Sequence, residues 1–184
     1  MIEGGAALLA WLGAALVVLA DGRRGLALGL ALVTAGFAVL AWTGGQPAGA
    51  VAVAAGGLIA AMRCWSSGAT WGLMPAGSTP RMVLCLASAL VALWFAASVT
   101  TGAGASVRFA APVVLGLMVA RILASRDQSV VLTCIACFAF ALAAAPNLAA
   151  SSPGPAPDVI AGVIAAGVMF LPAQSAVKGR AGGG

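Results

Sequence analysis

Residues 25–43, GLALGLALVTAGFAVLAWT, decide the fold of this chain. The stretch contains no charged residue, and a helix needs roughly 20 mainly apolar residues to cross the hydrocarbon core of a bilayer. It follows the charged sequence DGRR at 21–24 and is followed by the turn-forming sequence GGQP at 44–47. This pattern predicts a transmembrane helix with a sharp boundary at each end.

The composition of the whole chain is typical of a membrane protein. Of the 184 residues, 62% are hydrophobic and only 7% are charged, and the mean hydropathy is +1.11. Because soluble domains carry about 25% charged residues, a water-soluble globule is excluded. The chain has no histidine, and therefore lacks the commonest transition-metal ligand and the usual general base.

Applied along the chain, the same criterion predicts an all-α integral membrane protein with about seven transmembrane helices in one domain, residues 1–184. The third and seventh spans contain the shortest strictly hydrophobic stretches. Prolines mark two starts, Pro47 and Pro157, since a first helical turn tolerates a missing N–H. Residues 181–184 are expected to form a flexible tail. The predicted spans are 4–20, 25–43, 47–65, 82–100, 109–125, 129–145 and 157–174.

The placement of basic residues predicts the orientation, because short cytoplasmic loops collect Lys and Arg. With seven spans, eight of the nine basic residues fall on one side, and removing a span would destroy this bias. We therefore expect an outside N-terminus, a cytoplasmic C-terminus and a bacterial-type inner membrane. The charge of +5 then reflects topology, not nucleic-acid binding. The eight residues are Arg23, Arg24, Arg63, Arg81, Arg121, Arg126, Lys178 and Arg180; Arg108 lies opposite.

The first segment is expected to remain in the protein as a span. It carries Glu3 in place of a basic leader region, and no cleavage site of the signal-peptide kind precedes Asp21.

Small residues recur at helical spacing on three predicted spans. Such stripes let helix backbones approach closely in a membrane. Packing within the chain is the favoured interpretation, and docking against a partner subunit is the alternative. The stripes are Gly25, Gly29 and Gly36, then Ala52, Gly56 and Ala60, then Ser88, Ala92 and Ala96.

Arg121 is the basic residue that lies deepest in a predicted span, about four residues or roughly 6 Å from its end. A long basic side chain in this position usually extends to the headgroups. The sequence therefore favours such a snorkelling arginine. The alternative is an arginine that binds an anionic lipid headgroup or a quinone-like carbonyl.

The four cysteines Cys64, Cys85, Cys134 and Cys137 all map to the cytoplasmic half of the predicted bundle. Four thiolates can hold zinc or an iron–sulfur cluster. However, their spacing matches no compact ligand framework, and cysteine is commonly buried as a small hydrophobe. Structural cysteines are favoured, and no metal or cofactor is predicted.

No catalytic motif is found in the sequence, and the four acidic residues lie at the membrane boundaries, Glu3 and Asp158 at the outer one and Asp21 and Asp127 at the inner one. Hydroxyl groups within the spans, such as those of Thr34, Ser88 and Thr133, are expected to bond to carbonyls of their own helices. Ion-coupled transport generally needs ionisable groups that face a pathway inside the membrane. We therefore expect neither an enzyme nor an ion-coupled transporter that works alone.

The first 65 residues resemble the K-type small membrane subunits of complex I and of related hydrogenase and cation-antiporter assemblies. The similarity rests on the sequence DGRR at 21–24, the short loop GGQP at 44–47 and Arg63 at the end of span three. The resemblance implies three helices and an outside N-terminus. The glutamates of that family are replaced here by VTA at 33–35 and AAG at 54–56. The resemblance therefore does not imply proton translocation, and it implies a spacer or scaffold role.

The function expected from the sequence is that of a non-catalytic accessory subunit of a larger membrane complex, one engaged in energy transduction, packed among lipids and partner subunits. The alternative is a stand-alone small transporter or channel for a solute. A third possibility, an enzyme that acts on lipids through the loop from Trp65 to Arg81, ranks last because no histidine or paired carboxylates are present.

Overall fold

The computed structural model describes residues 2–67, 79–99, 104–125, 127–145 and 154–171, and all the regular structure in these ranges is α-helical. The prediction of an all-helical chain with seven helices is confirmed. The helices are α1 (Ile2–Leu19), α2 (Arg23–Thr43), α3 (Pro47–Ser66), α4 (Thr79–Val99), α5 (Ala105–Ala124), α6 (Gln128–Ala144) and α7 (Ala156–Val168).

The helix boundaries have local causes. Between α2 and α3, Gly45 adopts φ +80°, a left-handed conformation that glycine adopts without steric cost. The Asp127 carboxylate caps α6 by accepting hydrogen bonds from the backbone N–H of Ser129 at 2.9 Å and from its hydroxyl at 2.8 Å, which satisfies one donor of the first turn.

Within the described residues, α1, α2, α3 and α5 are long and apolar enough to span a membrane. Helix α6 has 17 residues and α7 has 13. At 1.5 Å per residue, α7 is about 20 Å long. It ends at Val168, six residues before the predicted end of span seven. Pro172 lies four residues beyond Val168 and lacks the N–H that would bond to the Val168 carbonyl in a longer helix.

Six of the helices form two facing layers of three. Helices α1, α2 and α3 lie side by side in the first layer, and α5, α6 and α7 in the second. Across the interface, α1 faces α5, α2 faces α6 and α3 faces α7, while α4 packs outside the layers against α5 and α1. The core between the layers is built from alanine, valine and leucine side chains.

Within the first layer, the glycines of α2 bring its backbone against α1. A Cβ atom added to Gly29 would lie 2.9 Å from the Gly13 carbonyl oxygen, and one added to Gly36 would lie 2.7 Å from that of Ala6. Both distances are too short for real carbon atoms, so the two helices can pack this closely only through glycine. Gly25 packs in the same way against Ala20.

Between the layers, Gly56 of α3 lies against the backbone of Gly162 of α7, and Ala52 is in the same contact. Ala60 is fully buried. The first two small-residue stripes therefore contribute to packing within the chain. On α4, Ser88 is half-buried, and the side chains of Ala92 and Ala96 lie outside the described set.

The hydroxyl groups within the helices bond as predicted. Thr34 donates to the Leu30 carbonyl at 2.8 Å, and Thr133 donates to the Ser129 carbonyl at the same distance. Ser88 donates to the carbonyl of Cys85 at 2.9 Å. These groups are occupied by their own helices, which confirms the structural interpretation.

Candidate functional site

One end of the bundle contains an ion pair that links the two layers and joins a buried arginine to an aspartate that is 40% exposed. Arg121 lies in the last turn of α5, and Asp21 lies in the short link between α1 and α2. One guanidinium nitrogen of Arg121 donates to a carboxylate oxygen of Asp21 at 2.7 Å and to the carbonyl of Ala20 at 2.9 Å. Arg121 is only 4% exposed.

The sequence indicated only that Arg121 lies near the end of its span. In the structure its side chain is buried and its guanidinium is bonded to the Ala20 carbonyl and the Asp21 carboxylate. Two features at the end of α1 stabilise the buried guanidinium. The carbonyl groups there lie at the negative end of the helix dipole, and Asp21 supplies a carboxylate. The positions of these groups, 100 and 101 residues away along the chain, cannot be deduced from local spacing.

The same end of the bundle contains an open cavity of about 270 Å³ between α2, α3, α6 and α7. Two cationic side chains line it. Arg23, at the start of α2, donates to the Ser67 carbonyl at 2.7 Å, and the guanidinium carbon of Arg63 lies 4.6 Å from the ring centroid of Phe170. The other lining residues are Cys64, Ser67, Ser129, Leu132, Met169, Phe170 and Leu171.

Sequence reasoning assigned Arg23 and Arg63 to topology alone and did not group them as a site. A signal was present, because seven alternating spans place the start of α2 and the end of α3 on the same side. The sequence does not indicate that α6 and α7 form the other side of the same cavity.

The four cysteines are all buried and all free thiols. The Cys64 sulfur donates to the Arg23 carbonyl at 3.4 Å, and Cys134 and Cys137 are fully buried in α6. Across the ranges that the structure covers, no group of three or more His, Cys, Asp or Glu residues is placed to hold a metal ion. Cys134 and Cys137 of the C-x-x-C sequence pack in the hydrophobic core.

The opposite end of the bundle contains a second buried charged residue, Asp158, in the first turn of α7. It is 3% exposed, and its carboxylate lies against Gly49 in the first turn of α3. A side chain at position 49 would occupy the place of this carboxylate. Asp158 thus lies at the N-termini of two helices, where helix dipoles favour negative charge.

The outer surface of the bundle is strongly apolar, most of all on α4. Among the described side chains of α4, Cys85 is the buried one, while Trp94 is 72% exposed and Val91 66%. Large apolar side chains are also exposed on the other helices, Val163 and Leu123 among them. Exposed apolar surface of this extent marks contact with a membrane or with another protein.

No known protein family, characterised protein or solved structure matches the chain.

Several sequence-based predictions fall outside the described residues. These are residues 68–78 of the loop from Trp65 to Arg81, the tail at 181–184, and the positions of Arg126, Lys178 and Arg180. The side chain of Arg81 is also outside the described set.

Proposed function

We propose that this chain is a seven-span membrane protein with its N-terminus outside and its C-terminus in the cytoplasm. The helix ends that carry Arg23, Arg63 and Arg121 lie at one end of the bundle, and this supports the proposed orientation. The cavity that contains Arg23 and Arg63 joins the starts of α2 and α6 to the ends of α3 and α7. Arg121, at the end of α5, reaches the same level of the bundle through Asp21. These basic residues therefore lie together, as the positive-inside rule requires of a cytoplasmic face.

Within a bacterial-type inner membrane, the chain acts as a non-catalytic accessory subunit of a larger complex engaged in energy transduction. Its interior supports a structural role. Small side chains and helix backbones fill the contacts between the layers. The buried cation Arg121 is bonded to Asp21, so its charge supports the fold and is not directed at a solute. The resemblance of the first 65 residues to small subunits of such complexes favours the same role.

One observation carries the proposal, the position of α4 outside the two layers. Its contacts are with α5 and α1, and apart from Cys85 its described large apolar side chains are exposed, with Trp94 at 72%. The helix also contains the small-residue stripe that begins at Ser88, a spacing that favours close helix–helix contact in membranes. We therefore assign α4 as the face that meets a heterologous subunit.

Mild-detergent extraction from the native membrane followed by size and mass analysis tests the proposal. We expect stoichiometric co-purification with heterologous membrane subunits. A photo-crosslinking residue in place of Trp94 should yield discrete protein adducts, and the same residue in place of Leu12, 44% exposed on α1, serves as the matched control. A chain that purifies alone and moves a solute across liposome membranes would instead establish the stand-alone transporter.

A further inference from the structure

The cavity lined by Arg23 and Arg63 combines positive charge with an apolar flank. Its described lining contains two guanidinium groups and no Asp or Glu, together with Ser67 and Ser129. Leu132, Met169, Phe170 and Leu171 form the flank. Two like charges beside one cavity repel each other, and an anion between them removes that repulsion. An anionic occupant is therefore favoured, and the apolar flank requires it to be amphipathic.

The two arginines are held in place before any ligand arrives. The Arg23 guanidinium is anchored by the Ser67 carbonyl at 2.7 Å, and the Arg63 guanidinium lies over the Phe170 ring at 4.6 Å. Contact with a ring face attracts the cation without a carboxylate partner. The planar N–H donors of arginine match the oxygens of a phosphate in a bidentate fashion.

One negative charge lies close by. The Asp127 carboxylate accepts hydrogen bonds from Ser129, which is a lining residue. This carboxylate is occupied as the cap of α6 and is not part of the described cavity lining. Among the described lining residues, the charged side chains are therefore the two arginines.

We propose that this cavity binds the headgroup phosphate of an anionic phospholipid, with an acyl chain along the Leu132–Leu171 side. Basic pockets between transmembrane helices on the cytoplasmic side are suited to such headgroups. The volume of about 270 Å³ lies just below the range of roughly 300–1,000 Å³ for small-molecule pockets, a size that fits a headgroup and not a whole lipid. The site requires that the chain lies in a membrane in the proposed orientation, but it does not require a partner subunit.

Native mass spectrometry of the purified chain, released from nanodiscs that contain phosphatidylglycerol and phosphatidylcholine, tests the site. We expect one phosphatidylglycerol retained per chain and no retained phosphatidylcholine. Arg63→Gln should weaken phosphatidylglycerol binding about fivefold, the effect of one basic residue near a membrane surface. Arg23→Gln should weaken it to at least the same extent, and circular dichroism of both variants verifies the fold.

The matched control is Arg24→Gln. Arg24 lies at the same end of the bundle, over the Trp65 ring at 5.4 Å, but does not line the cavity. Its substitution removes the same charge and should leave binding unchanged. Equal losses in Arg24→Gln and Arg63→Gln would overturn the proposal in favour of diffuse surface charge. Equal retention of phosphatidylcholine would overturn it too, as would displacement of the lipid by millimolar glycerol 3-phosphate, which would identify a site for a soluble phosphate.

Discussion

Neutralising Asp21 should destabilise the protein more than removing its partner Arg121. Asp21→Asn leaves a cation whose side chain is 3% exposed, whereas Arg121→Met leaves a carboxylate whose side chain is 40% exposed. A stranded buried charge is costly, while a stranded exposed charge is hydrated. The asymmetry in burial therefore predicts an asymmetry in stability between two substitutions that break the same ion pair.

The magnitude can be worked from the geometry. Unit charges 2.7 Å apart attract by about 6 kcal/mol at an effective dielectric constant of 20, and desolvation of the arginine offsets much of this. Removing one partner of a buried pair costs about 3–5 kcal/mol. Because water reaches Asp21, we expect Asp21→Asn to lower the free energy of unfolding by about 2–3 kcal/mol, less than for a fully buried pair. Arg121→Met should lower it by about 1 kcal/mol, since methionine is a good helix former.

Thermal unfolding in mild detergent, followed by tryptophan fluorescence, measures the difference. For a chain of this length, about 2–3 kcal/mol lowers the Tm by roughly 5–10 °C, and 1 kcal/mol lowers it by roughly 3 °C. The double variant should recover most of the loss of Asp21→Asn, because the stranded cation is gone. Asp127→Asn is the control, since asparagine caps a helix as well as aspartate does. Equal losses in the two single variants, or an Asp21→Asn protein as stable as the original, would refute the reasoning.

Three further outcomes are expected. Gly56→Ala should lower the Tm and separate α3 from α7, because the added carbon meets the α7 backbone. In the control Gly116→Ala, no atom lies within 4 Å of the new carbon, and the free energy of unfolding should rise by about 0.5–1 kcal/mol. A destabilised Gly116→Ala protein would contradict the packing. The four native thiols, all buried, should resist maleimide until detergent denaturation, and rapid labelling of the folded protein would disprove their burial. Against this background, Ser67→Cys should be labelled from the cytoplasm and Ser151→Cys from outside, while cytoplasmic labelling of Ser151→Cys would refute the seven-span topology.

Much of the fold follows from local patterns. Apolar runs of helical length predict the helices, and small residues at helical spacing predict contacts such as that of Gly29 with α1. Both depend on residues that lie close together along the chain. The early end of α7 was missed because hydrophobicity continues through 169–171, although Pro172 was the available signal.

The candidate site was harder to predict, because its residues come from distant segments. The Arg121–Asp21 pair spans 100 positions, and the cavity combines Arg23 with residues of α3, α6 and α7. A basic residue near the end of a span is compatible with snorkelling, with a buried ion pair or with a ligand site. Which of these occurs depends on the neighbouring helix, and the pairing of the two layers cannot be read from one sequence.

The two buried charges indicate how the layers are aligned. Lipid tails are as apolar as leucine, so apolar side chains supply little drive for one helix to choose another. In this chain Arg121 joins α5 to the α1–α2 link at one end, and Asp158 joins α7 to the first turn of α3 at the other. Each contact crosses between the layers, and the contact of Gly56 with α7 lies between them in height. We expect these two contacts, together with that of Gly56, to favour one register of the layers over others. The interior is occupied by this structural role, so function is to be sought at the periphery, along α4 and in the arginine-lined cavity.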